Sequence, residues 1–243
     1  LLDTSRLFED TLHNINGHTC AMIEIGCSTT SGKYLLPKLV ASFRHLYPDV
    51  RANINVMGRK GVINRVVQEK FCIGILSKQI DHSLLEYQPF YEDRVILIVH
   101  PDHPWGEYGK ALPSVLVDQP LILREETSGT REVMLDGLKT HGITADRLNV
   151  VMEVGNAEAI EIAVEEGIGI AFISELAAAR ALTLGRVRKV MVEGLNLQRT
   201  LYAMRHISTP CTRAQTLFWD FVQSQREHLN DAVFDNLTNV STI

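Results

Sequence analysis

The sequence predicts an α/β protein made of two successive lobes, each of about a hundred residues. Three observations predict it. Short apolar runs alternate with segments of helical periodicity along the chain, which argues for parallel strands in an α/β layer rather than a bundle or a sandwich. The rhythm runs through twice, and no Gly/Ser-rich linker separates the two passes. Each half also places a hydroxyl-rich stretch between a strand and a helix start.

In the first half, Leu2, Phe8, Leu12 and Ile15 fall near helical spacing, and the segment to Ile15 reads as the last turns of a helix that began upstream. Thr19 to Gly26 reads as a strand, Tyr34 to Leu46 as a helix closed by Pro48, and Val50 to Val56 as a second strand. Gly58 to Gln68 reads as a helix and Phe71 to Leu76 as a third strand. The second half gives strands at Arg94 to Val99, Pro120 to Leu123, Leu148 to Glu153, Ile168 to Ile173 and Val187 to Val192. Helices fall between them, one running to His141, one from Ala157 to Glu166, and an Ala-rich one capped by Ser174. Leu197 to Met204 reads as a strand crossing back, and Thr212 to His228 as a closing helix with Phe218, Trp219 and Val222 on its apolar face. Two lobes without a linker need paired crossover strands, and Asp93 to Val99 with Gln198 to Met204 are the candidates. Such a hinge puts a cleft between lobes, a favoured place for ligands.

Composition narrows the function. Of 243 residues, 45% are hydrophobic and 22% charged, with a formal net charge of -5. A domain that grips nucleic acid by itself carries a basic excess, so these residues are not expected to bind DNA directly. No apolar stretch is long enough to cross a bilayer. The chain opens on Leu1, without an initiator Met or the layout of a secretory signal, and reads as a fragment or a processed chain. Cys20, Cys27, Cys72 and Cys211 lack CxxC spacing and sit in apolar segments. They read as buried reduced thiols rather than a disulfide framework or a zinc site, which favours the cytoplasm.

Two stretches carry the ligand chemistry. Ser28-Thr29-Thr30-Ser31-Gly32 stands at a helix start, where free N–H groups and the helix dipole attract an anion. One Ser or Thr suffices for a cap, and four in a row exceed that need, so Ser28 and Thr30 read as ligand contacts, while Thr29 serves either reading. In the other lobe, Glu125-Glu126-Thr127-Ser128-Gly129-Thr130-Arg131 offers a second set of donors, with Arg131 as a charge clamp. Neither stretch is a P-loop, since no Gly-Lys-Ser/Thr ending follows. Asn156 reads first as a helix N-cap and second as a ligand contact, and Ser77 as a residue of the cleft floor. No G-x-S-x-G elbow or HExxH is present and the nine histidines are scattered, so no enzyme, cofactor or metal is expected. Cys27 has no base assigned to it and reads as a small buried thiol.

Several runs resemble one family. Ile25-Gly26-Cys27-Ser28-Thr29-Thr30-Ser31-Gly32-Lys33-Tyr34-Leu35-Leu36-Pro37 is similar to the opening of the LysR-type effector domain. Phe43-x-x-x-Tyr47-Pro48-Asp49-Val50, Val95 to Pro104, Leu121 to Arg131 and Val164-Glu165-Glu166-Gly167-Ile168-Gly169-Ile170-Ala171 resemble its further motifs, in the family's order. The resemblance spans about Ala21 to Val222. It implies two Rossmann-like lobes joined by crossover strands, the type 2 periplasmic-binding-protein-like fold. The expected division is the end of a linker helix over residues 1–17, lobe I over 18–93 and 205–230, lobe II over 94–204, and a tail over 231–243.

The resemblance also implies a regulator that binds a small, anionic effector between its lobes. By position, Ser28, Thr30 and Ser31 would contact it from lobe I, Ser77 would lie at the cleft, and Thr130 would reach from lobe II; the residues themselves add Thr127, Ser128, Gly129, Arg131 and Asn156 to the expected contacts of lobe II. DNA would be held only by an absent winged helix-turn-helix head. A homodimer or homotetramer would form, the helix near Tyr34 to Leu46 meeting that near Ala157 to Glu166. RNA polymerase is a further partner of the full-length protein, and no membrane is involved. Ser-Thr-Thr, Tyr-Leu-Leu-Pro and Ser-Gly-Thr-Arg look closest to the branch governing carbon fixation and sulfur assimilation. The peroxide-sensing branch carries its redox cysteines in the second lobe, and no cysteine lies between Cys72 and Cys211, so thiol sensing of that kind is not expected. The alternative on the same fold is a periplasmic solute-binding protein of a transport system.

Overall fold

The structure, a computed structural model, describes residues 22–226. The helix expected to end near Ile15 and the tail expected from residue 231 lie outside them. In chain order the elements are β1 (Met22–Cys27), a π-helical turn (Ser31–Leu35) running into α1 (Leu36–Leu46), β2 (Arg51–Val56), α2 (Arg59–Val67) and β3 (Ile73–Leu76). The long strand β4 (Leu85–Val99) follows, then α3 (Pro104–Tyr108), β5 (Lys110–Ala111), β6 (Leu121–Arg124) and α4 (Gly129–Lys139). The chain continues through β7 (Val150–Val154), α5 (Ala157–Glu165), β8 (Ile170–Ser174), α6 (Glu175–Thr183) and β9 (Arg188–Val192), and closes with β10 (Gln198–His206) and α7 (Arg213–Ser224). The chain divides into two compact units, one of Leu1–Tyr91 with Thr200–Ile243 and one of Glu92–Arg199. The divisions fall within β4 and β10, against 93/94 and 204/205 in the sequence reading.

In unit 1, β1 is central. It pairs in parallel with β2 on one side and β3 on the other, and β10 runs antiparallel to β3. The helices cover this sheet. Val62 and Val66 of α2 pack with Phe71, Leu76 and Met204, and Gly26 leaves room for the Phe71 ring, which a Cβ there would meet at 2.6 Å. Phe43 of α1 meets Phe218 and Phe221 of α7, each at 5.2 Å between ring centroids. Thr212 and Gln215 form a reciprocal capping box that starts α7. Glu86 on β4 and Arg205 on β10 are ion-paired at 2.8 Å, and Arg205 also lies 4.3 Å over the Trp219 ring.

The reading of Cys72 and Cys211 as reduced thiols is corrected: they form a disulfide. The residue before β3 is thereby joined to the residue before the N-cap of α7. Their separation of 139 residues concealed the pairing, because only the strand order brings β3 and β10 side by side. The closed covalent ring contains every residue of unit 2. Cys27 is free and fully buried.

In unit 2, β6 is flanked by parallel β7 and β8, and β4 lies antiparallel to β8 on one side and β9 on the other. Leu97, Leu121, Leu123, Met134, Leu138 and Phe172 belong to its core. Two glycines explain the helix–strand motif read from the sequence. Gly167 sits at φ 73° just past α5, a left-handed turn that glycine adopts without strain. Gly169 passes so close to the Pro120 carbonyl oxygen that a Cβ would stand 2.3 Å from it.

Candidate functional site

Both hydroxyl-rich stretches stand at the carboxyl ends of adjacent parallel strands, where ligands of open α/β sheets gather. In unit 1, Cys27 of β1 is level with Ile75 of β3, so Ser28 and Ser77 leave neighbouring strands at the same sheet end. Ser28 N–H donates to the Ile75 carbonyl at 3.3 Å. Helical structure begins earlier than the Tyr34 expected from the periodicity. Helical structure starts at Thr29, and Ser31 and Gly32 already belong to the π turn, with Gly32 N–H donating to the Ser28 carbonyl at 2.9 Å. Thr30 and Ser31 are buried, and the Ser28 and Ser31 hydroxyl oxygens lie 3.3 Å apart. Ser77 is partly exposed.

Beside this stretch, Cys27 directs its Sγ toward the Asn55 carbonyl at 3.8 Å. Burial pushes the thiol up to about 12, so it stays protonated and is no nucleophile. Gly32 is needed here, because a Cβ would stand 2.8 Å from Cys27 Sγ and 2.7 Å from Val56.

In unit 2, Arg124 of β6 is level with Val154 of β7, which brings the stretch Glu125–Gly129 and the turn at Asn156 to one end of the sheet. Ser128 caps α4, its Oγ accepting from Thr130 N–H at 3.2 Å. Asn156 caps α5, accepting from Glu158 N–H at 2.9 Å. Thr127 is exposed and Gly129 partly so. Thr130 is different: it is buried, and its hydroxyl oxygen has no hydrogen-bond partner. A buried hydroxyl left unmatched costs free energy that a ligand atom would recover.

Arg131, read as a charge clamp, is engaged within the unit. Its Nη1 donates to the Arg124 carbonyl at 2.9 Å and to Glu153 at 2.7 Å, tying α4 to β6 and β7. The buried Arg124 is likewise matched by Glu125 through two hydrogen bonds, at 2.8 and 3.0 Å.

The sequence reading placed a crossover at Asp93 but did not foresee its partners. Asp93 is fully buried at the start of the unit 2 part of β4. Arg199 donates to its carboxylate from Nε at 2.7 Å and lies at 2.6 Å through Nη2, while Ser174 Oγ donates at 2.6 Å. Burial raises the Asp93 carboxyl above its usual range, against the opposing pull of Arg199 and Ser174. The signal available in the sequence was a carboxylate and an arginine standing on the two expected crossover strands. Glu175 follows Ser174 and pairs with Lys189.

Among the described residues, no group of three or more His, Cys, Asp or Glu is placed to hold a metal ion. No described helix is long and apolar enough to cross a membrane.

Residues 16–227 match the LysR substrate binding domain family. A probable RuBisCO transcriptional regulator of Cyanidioschyzon merolae is 34% identical over 203 residues, covering 82% of this chain and 66% of that protein. A protein of the same description from Guillardia theta is 31% identical over 219 residues, covering 89% and 69%. The chain thus spans about two thirds of the length of these relatives. Among solved structures, the regulatory domain of Synechocystis PCC6803 CcmR in complex with 2-PG superposes with a TM-score of 0.77 at 22% identity, covering 86% of this chain and 99% of that one. The effector binding domain of QuiR in complex with shikimate gives 0.75 at 20% identity, with the same coverage. These likenesses carry the type 2 periplasmic-binding-protein-like fold. The family sets aside the transport reading: this chain belongs to the LysR substrate-binding domains, the part of LysR-type transcription regulators that takes the effector.

Proposed function

We propose that this chain is the sensing part of a cytoplasmic, non-catalytic transcription regulator and that a small anionic metabolite is its effector. Ser28, Thr30, Ser31 and Ser77 contact the effector from unit 1. Ser128, Gly129 and Thr130 contact it from unit 2, with Thr127 and Asn156 at the margin. Arg131 holds α4 to β6 and β7 through Nη1 and adds its positive charge to the effector contacts of unit 2. The observation that carries this reading is the buried Thr130 hydroxyl without a partner at the start of α4. Helix-start N–H groups and hydroxyls suit a phosphate or carboxylate. The names of the relatives support control of carbon fixation, and the 2-PG bound by the CcmR domain supports a phosphorylated or carboxylate effector.

The effector acts by its difference in affinity between conformations, which shifts how a DNA-binding head engages its operator. The test is calorimetric titration of the chain with phosphorylated and carboxylate metabolites, 2-PG and shikimate among them. Thr130→Ala and Ser28→Ala should both weaken binding of whichever compound binds the parent chain. Unchanged affinity in both variants rules out this site.

A homodimer or homotetramer completes the proposal, with DNA and RNA polymerase engaged by the full-length protein. Leu46 at the end of α1 and Ile162 on α5 are exposed apolar side chains on the two helices expected to meet between copies. Ile162→Glu should yield monomers in sedimentation; an unchanged sedimentation coefficient would place the interface elsewhere.

A further inference from the structure

The disulfide stands in an unusual place for a protein of this class. If the proposed function holds, the chain works beside DNA in a reducing compartment, where static disulfides are rare and those that form are mostly transient and redox-sensing. Cys72 and Cys211 are nevertheless bonded. Cys72 is buried, whereas Cys211 is partly exposed, in a surface segment with Ile207, Ser208, Pro210 and Arg213 open to solvent. An incoming thiolate therefore reaches Cys211 Sγ first. The bond also joins two points whose other fixings are complete without it. The segment ahead of β3 is held by Phe71, which packs with Val62 and Val66, and α7 is held by its capping box and by Phe218 and Phe221 against Phe43. Opening the bond thus leaves both elements docked while freeing the turn between β10 and α7.

We propose that Cys72–Cys211 is a reversible redox site of unit 1, opened by a protein or small-molecule dithiol. One thiolate of the dithiol attacks Cys211 Sγ, forming a mixed disulfide and releasing Cys72 as a thiolate that takes up a proton. The second thiolate of the dithiol then attacks its own bonded sulfur and releases Cys211, which is protonated in turn. The dithiol is oxidised to a disulfide, and the pair is reduced by two electrons and two protons. β3 ends next to Ser77, so the site lies one short strand away from a proposed effector contact. The redox state then becomes a second input to the same unit.

The test uses the whole chain in native buffer, with dithiothreitol as the dithiol, followed by maleimide labelling and peptide mass spectrometry. The expected result is no labelling of Cys72 or Cys211 before reduction, and labelling of the partly exposed Cys211 within minutes afterwards, with circular dichroism unchanged. Amide exchange over residues 207–213 should rise at least about tenfold on reduction, because the local opening has lost its covalent restraint, and removing the dithiol in air should restore it. Labelling that requires denaturant makes the bond a buried structural cross-link and overturns the proposal. Labelling of Cys211 without any reductant also overturns it, since Cys72 and Cys211 are then unpaired. The parent chain gives all these readouts, so the test stands even if Cys211→Ser fails to fold. No effector enters the experiment, so its failure is separate from failure of the sensing role.

Discussion

The two units solve the same problem with different materials. Each presents hydroxyl donors at a helix start beyond adjacent parallel strands. In unit 1 the start is drawn into a π turn and its hydroxyls face each other, Ser28 and Ser31 lying 3.3 Å apart. In unit 2 the start is a regular capped helix, and the Thr130 hydroxyl is left without a partner. The return strand is also secured differently, by a covalent bond near α7 in unit 1 and by the buried Asp93–Arg199–Ser174 network in unit 2. The difference teaches where binding energy is available. A ligand at Ser28 must compete with an existing protein contact, whereas a ligand at Thr130 completes an unmet one.

The largest effect should come from breaking the anchor of unit 2. Asp93→Ala leaves the Arg199 guanidinium buried and unpaired, and should destabilise the chain by about 3–5 kcal/mol in denaturant titration. A loss below 1 kcal/mol would show that water reaches this network. Next come the two crowded glycines. Gly169→Ala drives a methyl group into the Pro120 carbonyl, a backbone group with little freedom, and should cost about 3 kcal/mol. Gly32→Ala meets the side chains of Val56 and Cys27, which give way more easily, and should cost about 1–2 kcal/mol. Equal costs measured by thermal unfolding would remove that distinction.

Thr130→Ala and Ser28→Ala sharpen the comparison at the site itself. The first should weaken effector binding about tenfold and the second about threefold, differences of about 1.4 and 0.6 kcal/mol by calorimetry. Thr130→Ala should also leave the Tm of the free chain unchanged or higher, because it removes an unmatched polar atom from the interior. A fall in Tm of several degrees would mean that the hydroxyl is matched in solution.

The smallest effect is electrostatic. Burial, with Glu165 and Glu158 nearby, raises the Glu161 carboxyl above its ordinary range. A raised carboxyl means that the folded state resists the ionised form. Its contribution to stability is full below the unfolded pKa and is lost as pH rises through the folded one. Glu161→Gln should therefore stabilise at pH 7, by about 0.3 kcal/mol after screening on this half-buried helix, and the gain should vanish at acid pH. A stabilisation that persists there would assign the effect to helix propensity.

The apolar strands were legible because their burial shows directly as runs of Ile, Val and Leu: β1, β3, β6 and β8 lie where such runs stand. The first half of β4 was not. Leu85–Tyr91 mixes Glu86, Gln88 and Pro89 with aromatic residues, and most of its side chains are only partly buried, so neither alternation nor a continuous apolar run marks it. The hydroxyl stretches were legible by composition, but their local form was not, since nothing in the residue types marks a π turn with Ser31 buried in it. Arg131 was legible as a cation near a helix start. Its partner Glu153, 22 residues away, becomes its neighbour only through the pairing of β6 with β7. The same holds for Asp93 and Arg199, 106 residues apart. Local chemistry can be read along the chain, whereas partners brought together by strand order cannot.

The Cys72–Cys211 bond gives the molecule a topology that a protease would reveal. A single cut anywhere between these residues, including any loop of unit 2, severs the chain without releasing a fragment. The nicked protein would migrate as one species on a non-reducing gel and fall into separate pieces only once thiol is added. Damage to the second unit is thereby kept on the molecule for as long as the first unit stays oxidised.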